Sequence, residues 1–396
     1  MLQNMGSSAG NPGIQRNKVN IMLKSYKYRM YPNKSQCKLL AMSFGCVRFI
    51  WNKNVEVFND RGEFKTSTEY RAKFPFLKDV SAAIIQQKEI DFKQFKAQFF
   101  SKKRKKHIGR PSFKSRKDKQ SFRLPNQKFR VDGNKIRLEK IGWIKIVQDR
   151  TFGGKLMSAT VTMDRIGDYF VSILVEEEQI KYKTTGKTVG VDVGIKQFVT
   201  TSDGEQVKMF ADNQSKQKRF QKILARKKKG SIRKNKHRVK LAKVCRKNQR
   251  RKDWLIHNVT SYLVRNYDEI AIEDLNIAGM MKNHCLANSI SKQSWAKFAN
   301  QLEYKCKWHG RNLVKIDRWF PSSKMCSVCG KVNPDLKLSD RVYICDCGAP
   351  PIDRDLNAAI NIKFVGVKAT QQSVRGHKTD RNIISSAIPV ELMSFL

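Results

Sequence analysis

The sequence predicts a mixed α/β protein that also carries a small, separately patterned β-barrel or sandwich, on three observations. Between residues 110 and 180, short apolar runs around Phe122, Ile136, Ile144 to Ile146, Val161 and Phe170 to Leu174 are cut by Asp132-Gly133, Gly153-Gly154 and Gly167-Asp168. That is the spacing and punctuation of short antiparallel strands. Further on, Val189 to Val193 and Ile270-Ala-Ile272 are brief apolar runs separated by a long basic stretch with helical character, the way strands of a layered α/β sheet read. With 396 residues, 40% of them hydrophobic, the chain is long enough for two or three domains and apolar enough to bury a core.

Taken in order, residues 1–20 are polar and rich in Gly, Ser and Asn, and read as a disordered leader. Tyr26, Tyr28 and Met30 alternate with Lys27 and Arg29, a strand that Pro32 ends. Leu39, Leu40, Phe44, Val47 and Ile50 then recur at helical spacing, with Ser35 as a plausible N-cap. A second helix is predicted from Ser81 to Phe100, with Ile84, Ile85, Phe92, Phe95 and Phe99 on one face; a stripe at that spacing packs into a core more readily than it stacks on bases. It runs into Lys102, Lys103, Arg104, Lys105 and Lys106. From Lys216 to Lys252 there is no Asp or Glu, and Gly230 divides what reads as two basic helices. Their apolar residues, Phe220, Ile223, Leu224, Val239, Leu241 and Val244, are too few to drive burial alone. Beyond Phe364 the chain is polar and without pattern, and a flexible tail is expected over 366–396.

Charge narrows the function. Lys and Arg total 80 against 34 acidic residues, a formal +46, and self-repulsion on that scale calls for a polyanionic partner. The basic residues expected at phosphates are the five from Lys102 to Lys106, then Arg226, Lys227, Lys228, Lys229, Arg233 and Lys234, and finally Arg246, Arg250 and Arg251. No run of about 18 apolar residues and no signal-type apolar core is present, so the expected location is the cytosol, in contact with the nucleoid. Of nine cysteines, Cys326, Cys329, Cys345 and Cys347 cluster. Cys37, Cys46, Cys245, Cys285 and Cys306 are scattered, which suits one metal site plus inert buried thiols better than a disulfide framework. Cys326-x-x-Cys329 has the spacing of a zinc knuckle, and Gly330 and Gly348 permit the tight turns that follow such ligands.

Three segments carry candidate acids. Val189, Val191 and Val193, with Phe198 to Thr201, read as strands of a hairpin closed by Ser202-Asp203-Gly204, lodging Asp192 inside a sheet. A carboxylate there is costly unless paired or ligating a cation, and the flanking Gly190 and Gly194 favour close approach of backbone or ligand. Ile270-Ala-Ile272 reads as a short strand with Glu273 at its end, where α/β folds gather ligands. Ile352-Asp-Arg-Asp-Leu-Asn-Ala-Ala-Ile-Asn-Ile leads into a helix whose small residues Ala358 and Ala359 allow tight packing on a sheet; Asp355 near its start could act as a helix cap or as a functional acid.

Together, Val-Gly-Val-Asp-Val-Gly, Ile-Glu-Asp-Leu-Asn and Asp-Arg-Asp-Leu-Asn-Ala-Ala-Ile-Asn-Ile closely resemble the RuvC motifs of the transposon-encoded TnpB family. Trp295, the Trp319-Phe-Pro-Ser-Ser-Lys-Met-Cys-Ser-Val-Cys-Gly approach and the N-terminal Tyr-Lys-Tyr-Arg-Met-Tyr-Pro-Asn-Lys-Ser-Gln and Phe-Gly-Cys-Val-Arg-Phe-Ile-Trp-Asn also match, so the resemblance runs from about Met22 to about Ile362. It implies an α/β plus β-barrel architecture with an RNase H-like (RuvC) nuclease core split by insertions. The implied order is a wedge β-barrel over 21–60 and 109–181 around a helical recognition insert at 61–108. The RuvC domain follows over 182–321, with basic helices at 214–254, a zinc ribbon over 322–350 and a last RuvC segment over 351–365. The implied catalytic triad is Asp192, Glu273 and Asp355, with Asp353 as rival for the third place, holding two magnesium ions ~3.5–4 Å apart. The four cysteines would hold a structural zinc, although the family's usual second pair is Cys-x-x-Cys and this chain has Cys-Asp-Cys. The implied partners are a guide RNA from the end of the mobile element and double-stranded target DNA beside a short adjacent motif, the protein acting as a monomer on its RNA.

Three other functions share parts of this pattern. A miniature type V CRISPR effector would use the same chemistry with another guide source. A nuclease-dead RNA-guided repressor would not need the three acids. A strand-transfer transposase commonly ends its acidic series in Glu, where this chain has Asp.

Overall fold

The computed structural model describes residues 21–101, 108–210, 214–337 and 339–374, and divides into two compact units after Gln179. The leader 1–20, the basic cluster Lys102 to Lys106 and residues 375–396 lie outside the described residues.

In the first unit, β1 (Ile21–Tyr31) leads through α1 (Lys34–Arg61), α2 (Ser67–Lys73) and α3 (Ala82–Phe100) to six further strands. These are β2 (Gln120–Pro125), β3 (Phe129–Asp132), β4 (Lys135–Leu138), β5 (Gly142–Val147), β6 (Lys155–Met163) and β7 (Tyr169–Glu178). The sheet runs β2-β6-β7-β1-β5-β4-β3, antiparallel at every pairing given. Its two edge strands, β2 and β3, are separated in sequence only by the single turn Asn126–Lys128, so the sheet curls until its edges nearly meet. Period 2 decides what fills it: Tyr26, Tyr28, Met30, Phe122, Leu124, Ile136, Ile144, Ile146, Val161 and Val171 are all buried in one core. The helix predicted to be capped by Ser35 begins two residues earlier than that cap implies, at Lys34. Asn33, not Ser35, is the N-cap, accepting from Gln36 N–H while Gln36 Oε1 accepts from Asn33 N–H, a reciprocal capping box. The aromatic stripe of α3 packs on α1, where Phe92 meets Trp51 and Phe58 edge-on at 5.2 and 5.9 Å between ring centroids.

The second unit holds the α/β layers. β8 (Thr188–Asp192), β9 (Val199–Thr201) and β10 (Gln206–Val207) precede α4 (Gln214–Ala225) and α5 (Ile232–Asn266). Next come β11 (Glu269–Glu273), α6 (Ile277–Met280), α7 (His284–Gln293), α8 (Trp295–His309) and β12 (Asn312–Ile316). Last are β13 (Val342–Tyr343), β14 (Ile352–Asp353) and α9 (Arg354–Val374). The five-stranded sheet is ordered β10-β9-β8-β11-β12; β8, β11 and β12 run parallel, and β9 is antiparallel to β8. Val193 lies outside the strands, and Ser202-Asp203-Gly204 closes β9 onto β10, not β8 onto β9.

Alternation along the strands assigns each face a partner. Val189, Val191, Ile270 and Ile272 point into a core with Ile256 and Leu263 of α5 and Phe298 and Leu302 of α8. Ala271 and Ile316 point the other way, onto Ile362 of α9. On that second face a Cβ at Gly190 would lie 2.1 Å from Ala359 O, and one at Gly366 2.5 Å from Ala271 Cβ, so α9 crosses β8 and β11 at van der Waals contact. Packing of Gly366 and Val365 there carries α9 on to Val374, where the sequence suggested a patternless tail from 366. Among the described residues no helix is long and apolar enough to cross a membrane.

Candidate active site and cysteine cluster

The same alternation that puts Gly190 and Ala271 under α9 puts Asp192 and Glu273 there too, each two residues further along its strand. The ladder is parallel, with Ala271 opposite Gly190 and Ile272 opposite Val191, so the two acids end adjacent strands side by side. The first turn of α9 brings the third, Asp355; a Cβ on Gly194 would lie 3.9 Å from its Oδ2. The rival Asp353 is otherwise engaged. Its Oδ1 accepts from Asp355 N–H (3.0 Å) and Leu356 N–H (3.1 Å), which makes Asp353 the cap of α9 and leaves the Asp355 carboxylate to the cluster.

Electrostatics records the crowding. Burial raises the Asp192 carboxyl to about 8, helped by the negative charges of Glu273 and Asp355 and opposed by Arg354 and the Val193 N–H. Burial also raises Glu273, while the Ser322 hydroxyl, which donates to its Oε1, acts against that rise. Arg354 reaches Asp355 at 3.4 Å. One guanidinium cannot neutralise three carboxylates, so the group as it stands favours additional cations. The oxygens are hard donors, suited to magnesium in kind. They are not drawn into one tight knot: among the described residues, the one set of His, Cys, Asp or Glu ligand atoms gathered within 4.8 Å is that of the four cysteines.

Those four close well. Cys326 and Cys347 Sγ atoms lie 3.9 Å apart, and Cys329 and Cys345 3.6 Å, against the ~3.8 Å edge of a tetrahedron with zinc–sulfur bonds of ~2.3 Å. The single residue between Cys345 and Cys347 therefore does not keep the second pair from the first. Gly330 and Gly348 both take positive φ, 76° and 80°, Lys331 N–H approaches Cys329 Sγ at 3.5 Å, and the Ala349 N–H heads the interactions that lower the Cys347 thiol to about 7. Of the scattered thiols, Cys46 and Cys306 are buried and Cys37 and Cys245 half-buried, as expected; Cys285 is exposed, because it sits at the start of α7 on a face without packing.

The basic residues separate by role. Arg226, Lys227, Lys228 and Lys229 follow α4, and Arg233 and Lys234 open α5. Lys234 is engaged internally, its Nζ donating to Lys227 O at 2.8 Å. Arg246, Arg250 and Arg251 line a surface cavity of about 360 Å³ with Lys243, Lys247, Phe210 and Trp254. Trp254 is 59% exposed and Arg251 lies 4.9 Å over the Phe210 ring. Sequence reasoning missed Phe210 and Trp254; the signal available was a tryptophan two residues beyond the end of an acid-free basic run. It also missed Ser322, Arg354, Asn357 and Asn361, whose roles appear only in the folded contacts.

A chain that sets three acids at adjoining strand ends and a helix start, next to a four-thiol knuckle, and flanks them with cationic helices has the parts of a nucleic-acid-processing protein. Comparison with known proteins gives the family. Residues 172–284 match the IS605 OrfB family, described as "Probable transposase", residues 295–362 match the Cas12f1-like TNB domain, and residues 22–61 match a helix-turn-helix domain, although here they form a strand and one continuous helix. A Streptomyces pristinaespiralis protein described as "Putative RNA-guided DNA endonuclease" is 36% identical over 371 residues, 88% of this chain and 90% of that one. InsQ of Escherichia coli K12, described in the same words, is 28% identical over 384 residues, 87% and 92% of the two chains. A Cas12f1 protein, solved with its sgRNA and target DNA, superposes with a TM-score of 0.52 at 14% identity, over 87% of this chain and 99% of that one, which is a likeness of fold. The chain belongs to the TnpB (IS605 OrfB) family.

Proposed function

We propose that this protein is an RNA-guided DNA endonuclease that cuts by two-metal hydrolysis at Asp192, Glu273 and Asp355. The observation that carries the reading is the meeting of three chain-distant acids on the α9 face of one sheet, close enough that Glu273 and Asp355 help raise the Asp192 carboxyl, already lifted by burial, to about 8. Supporting it, Asp192 and Glu273 end neighbouring parallel strands of a mixed sheet ordered β10-β9-β8-β11-β12, as the resemblance to RuvC motifs implies, and the whole-length relatives carry the endonuclease description.

Asp192, coupled electrostatically to both other acids, would hold the cations together with Glu273 and Asp355. Two magnesium ions would supply stabilisation of the attacking and leaving oxygens of the phosphodiester. The protein's part is to aim the three carboxylates; burial and the neighbouring acids raise the Asp192 carboxyl, and bound cations would favour its ionised form. Zinc on the four thiolates would be structural, since four protein ligands leave no open position. A guide RNA and its DNA target would lie along the basic helices, sequence being read by base pairing. The intact acids weigh against a nuclease-dead repressor.

The test is Asp192→Ala, assayed with guide RNA copurified from the wild type. Cleavage should fall to background while gel shifts of guide and target match the unmodified protein; cutting that persists would reject the site.

A further inference from the structure

Ser322 is buried and its hydroxyl donates to Glu273 Oε1; no other donor among the described residues reaches that carboxylate. What holds Ser322 is equally specific. Asn361 Nδ2 donates to Ser322 O (2.8 Å) and Met325 O (2.7 Å). One turn earlier, Asn357 donates to Met325 O (2.7 Å) and accepts from Ser327 N–H (2.9 Å). Both asparagines are at most 2% exposed, and buried amides are expensive unless their bonds are made. All four bonds go to the peptide chain from Ser322 to Ser327, the segment that contains Cys326. The same helix carries Asp355.

We infer that Ser322 is a positioning residue for Glu273, and that the four-cysteine knuckle sets the cutting site through it. Metal on the thiolates fixes the loop around Cys326, Asn357 and Asn361 fasten that loop to α9, and Ser322 then holds one oxygen of Glu273, leaving the other for a cation. Losing a partner of this kind typically costs about 10- to 100-fold in metal affinity. The inference rests on Glu273 being a metal ligand, so Glu273→Gln is the reference variant.

The experiment uses the full protein with its guide RNA. Manganese binding to the Ser322→Ala, Ser322→Thr, Cys347→Ser and Glu273→Gln complexes is measured by electron paramagnetic resonance, beside cleavage across a magnesium titration and thermal melting. Ser322→Ala should weaken manganese binding and raise the magnesium needed for half-maximal cutting about 10- to 100-fold, with its melting temperature and guide affinity unchanged. Ser322→Thr, which keeps the hydroxyl, should recover most of the loss, and Cys347→Ser should shift metal dependence in the same direction as Ser322→Ala. If Glu273→Gln is inactive while Ser322→Ala binds manganese and cuts like the wild type, the positioning role is overturned. It is overturned equally if Ser322→Ala lowers only the melting temperature. If Glu273→Gln cuts normally, the reading of the site itself fails.

Discussion

At the scale of single residues, the division of labour between Asp353 and Asp355 is the sharpest feature. The sequence offered both, two positions apart, and composition could not rank them; only the folded hydrogen bonds show Asp353 closing the helix end. Two substitutions separate the roles. Asp355→Asn should end cleavage, because an amide is a poor magnesium ligand, while Asp353→Asn should cut at the wild-type rate, since Asn caps a helix as well as Asp. Asp353→Ala should cost about 1 kcal/mol of stability without removing activity, readable by melting beside a cleavage assay. Asp192 and Glu273 were legible earlier because an acid ending an apolar strand runs against the usual cost of burial. Ser322, Asn357 and Asn361 violated nothing in the sequence: small polar residues are ordinary anywhere, and their meaning lies in partners 30 to 49 positions away.

At the scale of elements, helix α9 and the start of β11 carry the strongest constraints. Gly190→Ala would drive a methyl into Ala359 O and should destabilise by about 1–3 kcal/mol or more, seen as a lower unfolding midpoint. Asp268 begins the approach to β11. Burial would raise its carboxyl, yet N–H donors from Gly186 and Thr185 and the Arg311 guanidinium hold it below the ordinary range. A depressed carboxylate stabilises the fold above its unfolded pKa of ~3.9 and loses that contribution as pH falls through the folded value. Asp268→Asn should therefore melt below the wild type at pH 7, and the gap should close in acid, below about pH 4; a gap independent of pH would contradict the assignment. Strand positions were readable here because period 2 and glycine turns are local signals. The N-cap at Asn33 was misjudged by two residues, since Pro-Asn-Lys-Ser offers two good caps and only the partner Gln36 decides between them. The extension of α9 to Val374 escaped notice because Gly366 reads as a helix breaker until Ala271 is seen opposite it.

At the scale of the whole molecule, charge is the dominant fact. A formal +46 carried partly on α4 and α5 implies binding that weakens steeply with salt. The double variant Arg250→Gln, Arg251→Gln should reduce the slope of log affinity against log salt by about 2 for the guide complex, measured by filter binding across a salt series. An unchanged slope would remove these two arginines from the phosphate contacts. The expectation of a polyanionic partner comes from composition alone, whereas the placement of Trp254 in a groove among those cations was not legible there, because exposure is a property of the fold.

The route of the chain through its second sheet has a consequence in time. Synthesis delivers Asp192 first, Glu273 some eighty residues later, and Asp355 only with the helix that ends the described structure. The cationic helices α4 and α5 are therefore made before the last of the three acids. On the proposed function, a half-made copy would carry its basic surface before it could harm DNA.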